Sequence, residues 1–175
     1  MMTAVLFPEF QQRAHRYARC LVGNDWDAEE IVQEAFCKLA RRESEGGGTG
    51  PAEAPAALLF TIIRHQAIDL SRKRQVRRRV PWSEIPEPSS RESGGSAASD
   101  LNELVTGIRA AFERLPPRWA DALHLRVAGE LSYEEIARVL ECSHAQVRTW
   151  IYRARKQLAT QLAAQGWTTQ ATGND

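Results

Sequence analysis

Cysteine is scarce and poorly placed for cross-linking. The 175 residues contain three, Cys20, Cys37 and Cys142, far apart and odd in number. No C-x-x-C pair occurs and no Cys/His set has zinc spacing, which excludes a disulfide framework and a structural zinc site. The cysteines are expected to be small core hydrophobes in a reducing compartment. The four histidines, His15, His65, His124 and His144, are equally scattered. No Gly-rich loop precedes a Lys-Ser or Lys-Thr pair, and no nucleophile motif is present. An enzyme is therefore not expected, nor a cofactor, a metal or a small-molecule substrate. No apolar run approaches the roughly 20 residues a membrane helix needs. The opening stretch MMTAVLFPEFQQRAHRYARC lacks the basic start and long apolar core of a secretory signal. The expectation is a cytoplasmic protein without membrane insertion. Strand signals are nearly absent.

Net charge is also low, at +1, but it conceals segregation. Phe60 to Val80 holds Arg64, Arg72, Lys73, Arg74, Arg77, Arg78 and Arg79 against one acid, Asp69. Asp25 to Glu34 and Glu84 to Glu103 are biased the other way. Such asymmetry predicts one surface that faces a polyanion and another that faces a different partner.

What is present is helical spacing, and the fold class predicted is all-α. From Phe10 to Val22, Ala14, Tyr17, Ala18, Leu21 and Val22 recur at three- and four-residue steps. GND at Gly23 to Asp25 is a turn, after which Asp27 can cap a helix with Glu30 as its capping partner. Glu43 to Pro55, with three consecutive glycines and two prolines, is a loop. A third helix starts near Ala56 and enters the basic segment. Pro81 to Ser99 has linker composition and is acidic through Glu84, Glu87 and Glu92. A second helical unit follows, with Leu104, Ile108, Ala111, Phe112 and Leu115 on one face, a break at Pro116-Pro117, and a helix from about Arg118 to Val127. The predicted organisation is two small helical domains, 1–80 and 101–165, on a flexible linker, 81–100, with a tail at 166–175.

Two capping boxes then lie close together, Ser132 with Glu135 and Ser143 with Gln146. They predict short helices over Tyr133–Leu140 and His144 to about Leu162, with ECS as the turn between them: a helix–turn–helix. Ile136, Ala137 and Leu140 would pack on Val147, Ile151 and Ala154. That spacing turns Arg148, Thr149, Tyr152, Arg153 and Lys156 outward, and His144 and Gln146 join them at the helix start as DNA-facing candidates. A helix of this kind fits a major groove, where arginine takes a guanine edge or neutralises a phosphate. From this helix alone, a solvated basic face on an ordinary helical hairpin is the competing reading.

Together the segments resemble a bacterial RNA polymerase sigma factor of the extracytoplasmic-function (ECF) group, over about Phe10 to Leu162. DAEEIVQEAFCKL (Asp27 to Leu39) is similar to the family's core-binding helix, LLFTIIRHQAIDLSRK (Leu58 to Lys73) to its promoter-melting helix, and LPPRWADALHLRVAGELSYEEIARVL with VRTWIYRARKQL to its C-terminal DNA-reading domain. The resemblance implies docking on a coiled coil of the polymerase's largest subunit, with Asp27, Glu30, Gln33 and Phe36 as candidates; Ile31, Phe36 and Leu39 are equally readable as core. It implies that His65, Asp69, Arg72, Lys73, Arg74 and Arg77 serve the −10 element and its melting. It implies that the residues named above on the second helix of the helix–turn–helix, His144, Gln146, Arg148, Thr149, Tyr152, Arg153 and Lys156, serve the −35 element. It implies that the loop at Glu43 to Pro55 captures an extruded base, that the acidic linker threads the polymerase cleft, and that an anti-sigma protein restrains the chain. The chain departs from the family pattern at Leu58 (usually tryptophan), His65 (usually asparagine), Ala145-Gln146 (usually Gly-Thr) and Trp150 (usually arginine). A dimeric helix–turn–helix regulator would explain Ser132 to Leu158 but leave the first half idle. An α-helical adaptor for an acidic protein is the third reading.

Overall fold

The structure, a computed structural model, describes residues 2–45, 55–78 and 96–166; the side chains at 2–7, 9, 76–78 and 96–104 are not described. Among the described residues there are seven α-helices and no strand: α1 Met2–Val22, α2 Asp25–Ser44, α3 Pro55–Arg78, α4 Ser96–Glu113, α5 Pro117–Val127, α6 Tyr133–Val139 and α7 His144–Ala164. Of the stretch expected as a loop, Glu43 and Ser44 end α2 and Pro55 opens α3, while 46–54, most of the acidic linker and the last residues of the tail lie outside the described residues. Two compact units result. The first takes in the described parts of Met1–Glu84 with His124–Val147, the second those of Ile85–Leu123 with Arg148–Asp175.

In the first unit, α1 starts well before Phe10 and continues through Pro8. It stops where Gly23 turns left-handed (φ 82°), a conformation glycine adopts without a Cβ penalty. The Gly23 N–H then donates to the Arg19 carbonyl at 2.9 Å. The cap of α2 differs from the expected one. Asn24, in extended backbone, accepts from the Asp27 N–H at 2.9 Å. Two cap patterns overlap here, and the turn at Gly23 starts α2 at the earlier one, so Asp27 becomes the third helical residue. Its carboxylate lies inward, in a buried residue, bonded by Asn24 and by Arg74 of α3.

The core of this unit comes from Ala14, Tyr17 and Ala18 of α1, Ala28, Ile31, Val32, Ala35, Phe36 and Leu39 of α2, and Leu59, Phe60, Ile63 and Ala67 of α3, all buried. The Tyr17 and Phe60 rings are 5.3 Å apart and tilted by 48°, a favourable aromatic geometry. The turn after α5 packs on this core. Arg13 donates from Nε to the Gly129 carbonyl and from a terminal nitrogen to the Glu130 carbonyl, each at 2.9 Å, while Arg16 pairs with the Glu130 carboxylate. Backbone approach is close enough that a Cβ on Gly129 would stand 2.7 Å from the Leu125 oxygen and 2.8 Å from Phe60 Cε1.

The cysteines are not core residues: Cys20 and Cys37 are exposed and Cys142 is half-buried. Cys20 and Cys37 lie off the apolar stripes of α1 and α2, so helix packing leaves them outside. In the second unit, α4 opens at Ser96, inside the stretch of linker composition. Ala111 and Leu115 are buried, whereas Ile108 is 36% exposed. Pro117 opens α5 rather than ending α4, because a first-turn proline lacks only an N–H that has no helical partner there. Pro116 contributes its carbonyl to the Trp119 and Ala120 N–H groups, at 2.9 and 3.1 Å. Gln157 of α7 donates to the Arg114 carbonyl at 3.1 Å.

Candidate nucleic-acid interface

The helix starts of the helix–turn–helix are fixed by local contacts. At α6 the Glu135 N–H donates to Ser132 Oγ at 3.2 Å and the Ser132 N–H to Glu135 Oε2 at 2.7 Å. At α7 the Gln146 N–H donates to Ser143 Oγ at 3.2 Å and the Ser143 N–H to Gln146 Oε1 at 2.9 Å. Between them Glu141 takes the left-handed conformation (φ 51°), and the Cys142 N–H closes the turn on the Ala137 carbonyl at 3.0 Å. Ile136, Val139, Leu140, Val147, Ile151 and Ala154 are buried, and Ala137 is half-buried. His144, Gln146, Arg148, Thr149, Tyr152, Arg153 and Lys156 are all exposed. The Gln146 amide oxygen is engaged in the cap. The His144 ring stands 5.6 Å from that of Tyr133.

At the edge of this face lie two arginine–tryptophan stacks that sequence reasoning missed. Arg153 lies over the Trp119 ring at 5.7 Å and Arg118 over the Trp150 ring at 6.0 Å. The available signal was the Arg118-Trp119 pair placed directly after two prolines, opposite a helix whose own sequence alternates arginine and aromatics.

On α3, His65, Asp69, Arg72 and Lys73 are exposed, and their spacing puts them on one stripe. Arg72 and Asp69 are 3.8 Å apart across it. Arg74 departs from that stripe: it turns to Asp27 and lines a cavity of about 250 Å³ with Leu21, Val22, Ala67 and Leu70. The Arg77 side chain lies outside the described residues.

On α2 the expected face splits. Glu30 and Gln33 are exposed, with Gln33 donating to Glu29 at 3.3 Å. Asp27 and Phe36 are turned inward, 7% and 4% exposed, and Ile31 and Val32 lie in the core with them. Trp26 was missed. It is 80% exposed, on the side of α2 opposite the apolar stripe and one turn before Glu30. A large aromatic off the stripe, inside an acidic run, was its signal. The Lys38 ammonium, 2.8 Å from Glu34, hydrogen-bonds that carboxylate and holds its pKa below the usual value. Among the described residues no His, Cys, Asp and Glu group could hold a metal ion, and no helix is long and apolar enough to cross a membrane.

Sigma-70 region 2 matches residues 6–77, spanning α1 to α3, and Sigma-70 region 4 matches residues 107–158, spanning α4 to α7. The ECF RNA polymerase sigma factor SigE of Mycolicibacterium smegmatis is 30% identical over 162 residues, covering 90% of this chain and 60% of that protein. The ECF RNA polymerase sigma-E factor of Escherichia coli K12 is 31% identical over 144 residues, covering 75% of this chain and 72% of that one. The chain thus spans less than two thirds of the mycobacterial relative's length. In fold it is similar to the sigma factor RpoE in its co-crystal structure with the anti-sigma factor NepR from Bartonella quintana, with TM-score 0.64 and 21% identity over 91% of this chain and 96% of that chain. It is also similar to CnrH in complex with the cytosolic domain of CnrY, with TM-score 0.65 and 21% identity over 93% of this chain and 88% of that chain. With both sigma-70 regions matched on the helices described above and a relative of this identity and coverage, the chain belongs to the ECF RNA polymerase sigma factors.

Proposed function

We propose that this chain is a promoter-specificity subunit that joins core RNA polymerase, reads the −35 element with α7 and the −10 element with α3, and helps to melt the duplex. The observation that carries the reading is α7: a capped helix whose buried face is Val147, Ile151 and Ala154 and whose exposed residues include Arg148, Arg153 and Lys156. Arginine and lysine there supply phosphate attraction and base-edge donors in one groove-sized element. The α3 stripe offers His65, Arg72 and Lys73 to a polyanion, with Asp69 among them and Arg77 as its expected continuation; Arg74, tied to Asp27, supports that helix from behind. The polymerase face is assigned to Trp26, Glu30 and Gln33 of α2, while Asp27 and Phe36 fix the helix beneath it. Residues 1–80 and 101–165 are taken as the two working parts, in line with the matched regions.

Each of these surfaces is small. Affinity for promoter DNA therefore depends on joining them, and the polymerase does this by fixing their spacing. A dimeric regulator leaves the α2 and α3 faces without work. A protein inhibitor of the anti-sigma class is the assigned negative partner, and the cytoplasm the assigned location. The test is assembly with core polymerase followed by run-off transcription on promoters found by start-site mapping. Specific initiation is expected only with the chain present. A purified, folded chain that never associates with core overturns the reading.

A further inference from the structure

We propose that Gln146 reads one base of the −35 element as a hydrogen-bond donor only, and so selects guanine, with thymine second, against adenine and cytosine. This rests on the reading of α7 as the groove helix and adds to it the class of base edge that one side chain accepts.

Gln146 is the third residue of α7 and is exposed. With Thr149 and Arg153 it falls on one stripe of the helix, at steps of three and four residues. The first residues of a groove helix are the ones that meet base edges. A glutamine so placed ordinarily pairs with adenine, its amide oxygen accepting from N6 and its amide nitrogen donating to N7. Here the oxygen is already used twice. It accepts from the Ser143 N–H at 2.9 Å and from the Ser143 hydroxyl at 3.1 Å, which fills both of its lone pairs. The same hydroxyl accepts from the Gln146 N–H at 3.2 Å, so the three bonds close on one another. They also fix which way the amide points, because a backbone N–H needs an acceptor and only the oxygen end of the amide offers one. The amide nitrogen, with its two N–H groups, is left to face outward, and no acceptor among the described residues holds it. In the major groove guanine presents two acceptors, N7 and O6, and thymine presents one, O4. Adenine and cytosine each present an exocyclic amino group. Against that group the Gln146 nitrogen sets donor to donor, and polar groups left unpaired in a closed interface are costly. The cap that starts α7 therefore also decides what its third residue can read.

The experiment uses holoenzyme made from core polymerase and the full chain. A promoter fragment obtained by start-site mapping is changed to each of the four bases at every position of its −35 element, and the affinities are compared by competition. The unsubstituted protein is expected to show a position at which guanine exceeds adenine by about three- to tenfold. Gln146→Glu keeps a residue of capping-box type but replaces the outward N–H groups by an acceptor oxygen. It is expected to weaken every fragment through its charge. At that one position it is also expected to move the preference from guanine to cytosine or adenine, whose amino groups donate. Gln146→Ala is expected to flatten the same position. Ser143→Ala, which frees one lone pair of the amide oxygen, is expected to raise adenine relative to guanine there. A base ranking that Gln146→Glu and Gln146→Ala leave unchanged at every position overturns the proposal. So does a responding position at which the unsubstituted protein prefers adenine or cytosine. A ranking unchanged in Ser143→Ala overturns the part assigned to the cap. Arg148→Ala and Arg153→Ala run alongside. If these alter the ranking and the Gln146 variants do not, only the present proposal fails; if no variant alters it at any position, the reading of α7 itself fails.

Discussion

Asp27 and Arg74 hold each other in place from different helices. Asp27 has a side chain only 10% exposed and Arg74 one 33% exposed, so removing either partner leaves a poorly hydrated charge. Asp27→Ala is expected to cost about 2–4 kcal/mol, read as a lower urea midpoint, because the unpaired partner loses more than the bond itself was worth. Combining Asp27→Ala with Arg74→Met should cost less than the sum of the two, since the pair acts as a unit. Gly129 makes a second residue-scale case. A Cβ there would meet the Leu125 oxygen at 2.7 Å and Phe60 Cε1 at 2.8 Å, one neighbour being backbone and the other a buried ring. Gly129→Ala is expected to destabilise by about 1–3 kcal/mol in thermal unfolding.

At the scale of an element, the face of α2 proposed for polymerase docking lies apart from its core face. Glu30→Arg and Gln33→Ala change exposed positions; each is expected to weaken assembly with core polymerase several-fold while leaving the melting temperature within a degree or two. Phe36→Ala should do the reverse first: it empties a core position and costs about 3–5 kcal/mol of stability. Competitive binding to core, measured beside thermal melts, separates the two. The Glu34–Lys38 pair gives α2 a small pH dependence. Because the folded carboxyl titrates below its ordinary value, its contribution is present above the unfolded carboxylate range of about 4.3 and disappears as pH falls through the folded value. Both side chains are about half exposed, so the contribution is only about 0.3–0.5 kcal/mol. Glu34→Gln should remove it, flattening that part of the acid limb of a stability–pH curve.

Over the whole molecule, charge segregation outweighs the total. A net charge of +1 predicts little general attraction to DNA, yet the α3 stripe and the exposed face of α7 are locally cationic. Promoter binding by holoenzyme is therefore expected to fall steeply with salt. Replacing Lys73 with glutamine should make the logarithmic slope shallower by about 0.9 if it neutralises one phosphate; a filter-binding salt series measures it. Contacts between distant parts of the chain also act at this scale. Arg13 reaches Gly129 and Glu130 across 116 and 117 positions of sequence.

The all-α class, the helix order and the helix–turn–helix were legible in the sequence because each rests on interactions within a turn or two. Ser132 with Glu135 and Ser143 with Gln146 need only a three-residue spacing, and the buried stripe of α7 needs only its periodicity. The outward face of α7 followed directly. Tertiary structure alone decided which other residues are covered. It turned Asp27 and Phe36 inward, drew Arg74 off the α3 stripe, left Cys20, Cys37 and Trp26 in solvent, and set Arg118 and Arg153 on tryptophans of the facing helix. Spacing defines the faces of a helix. Which face is buried, and what lies against it, depends on segments far away in the chain.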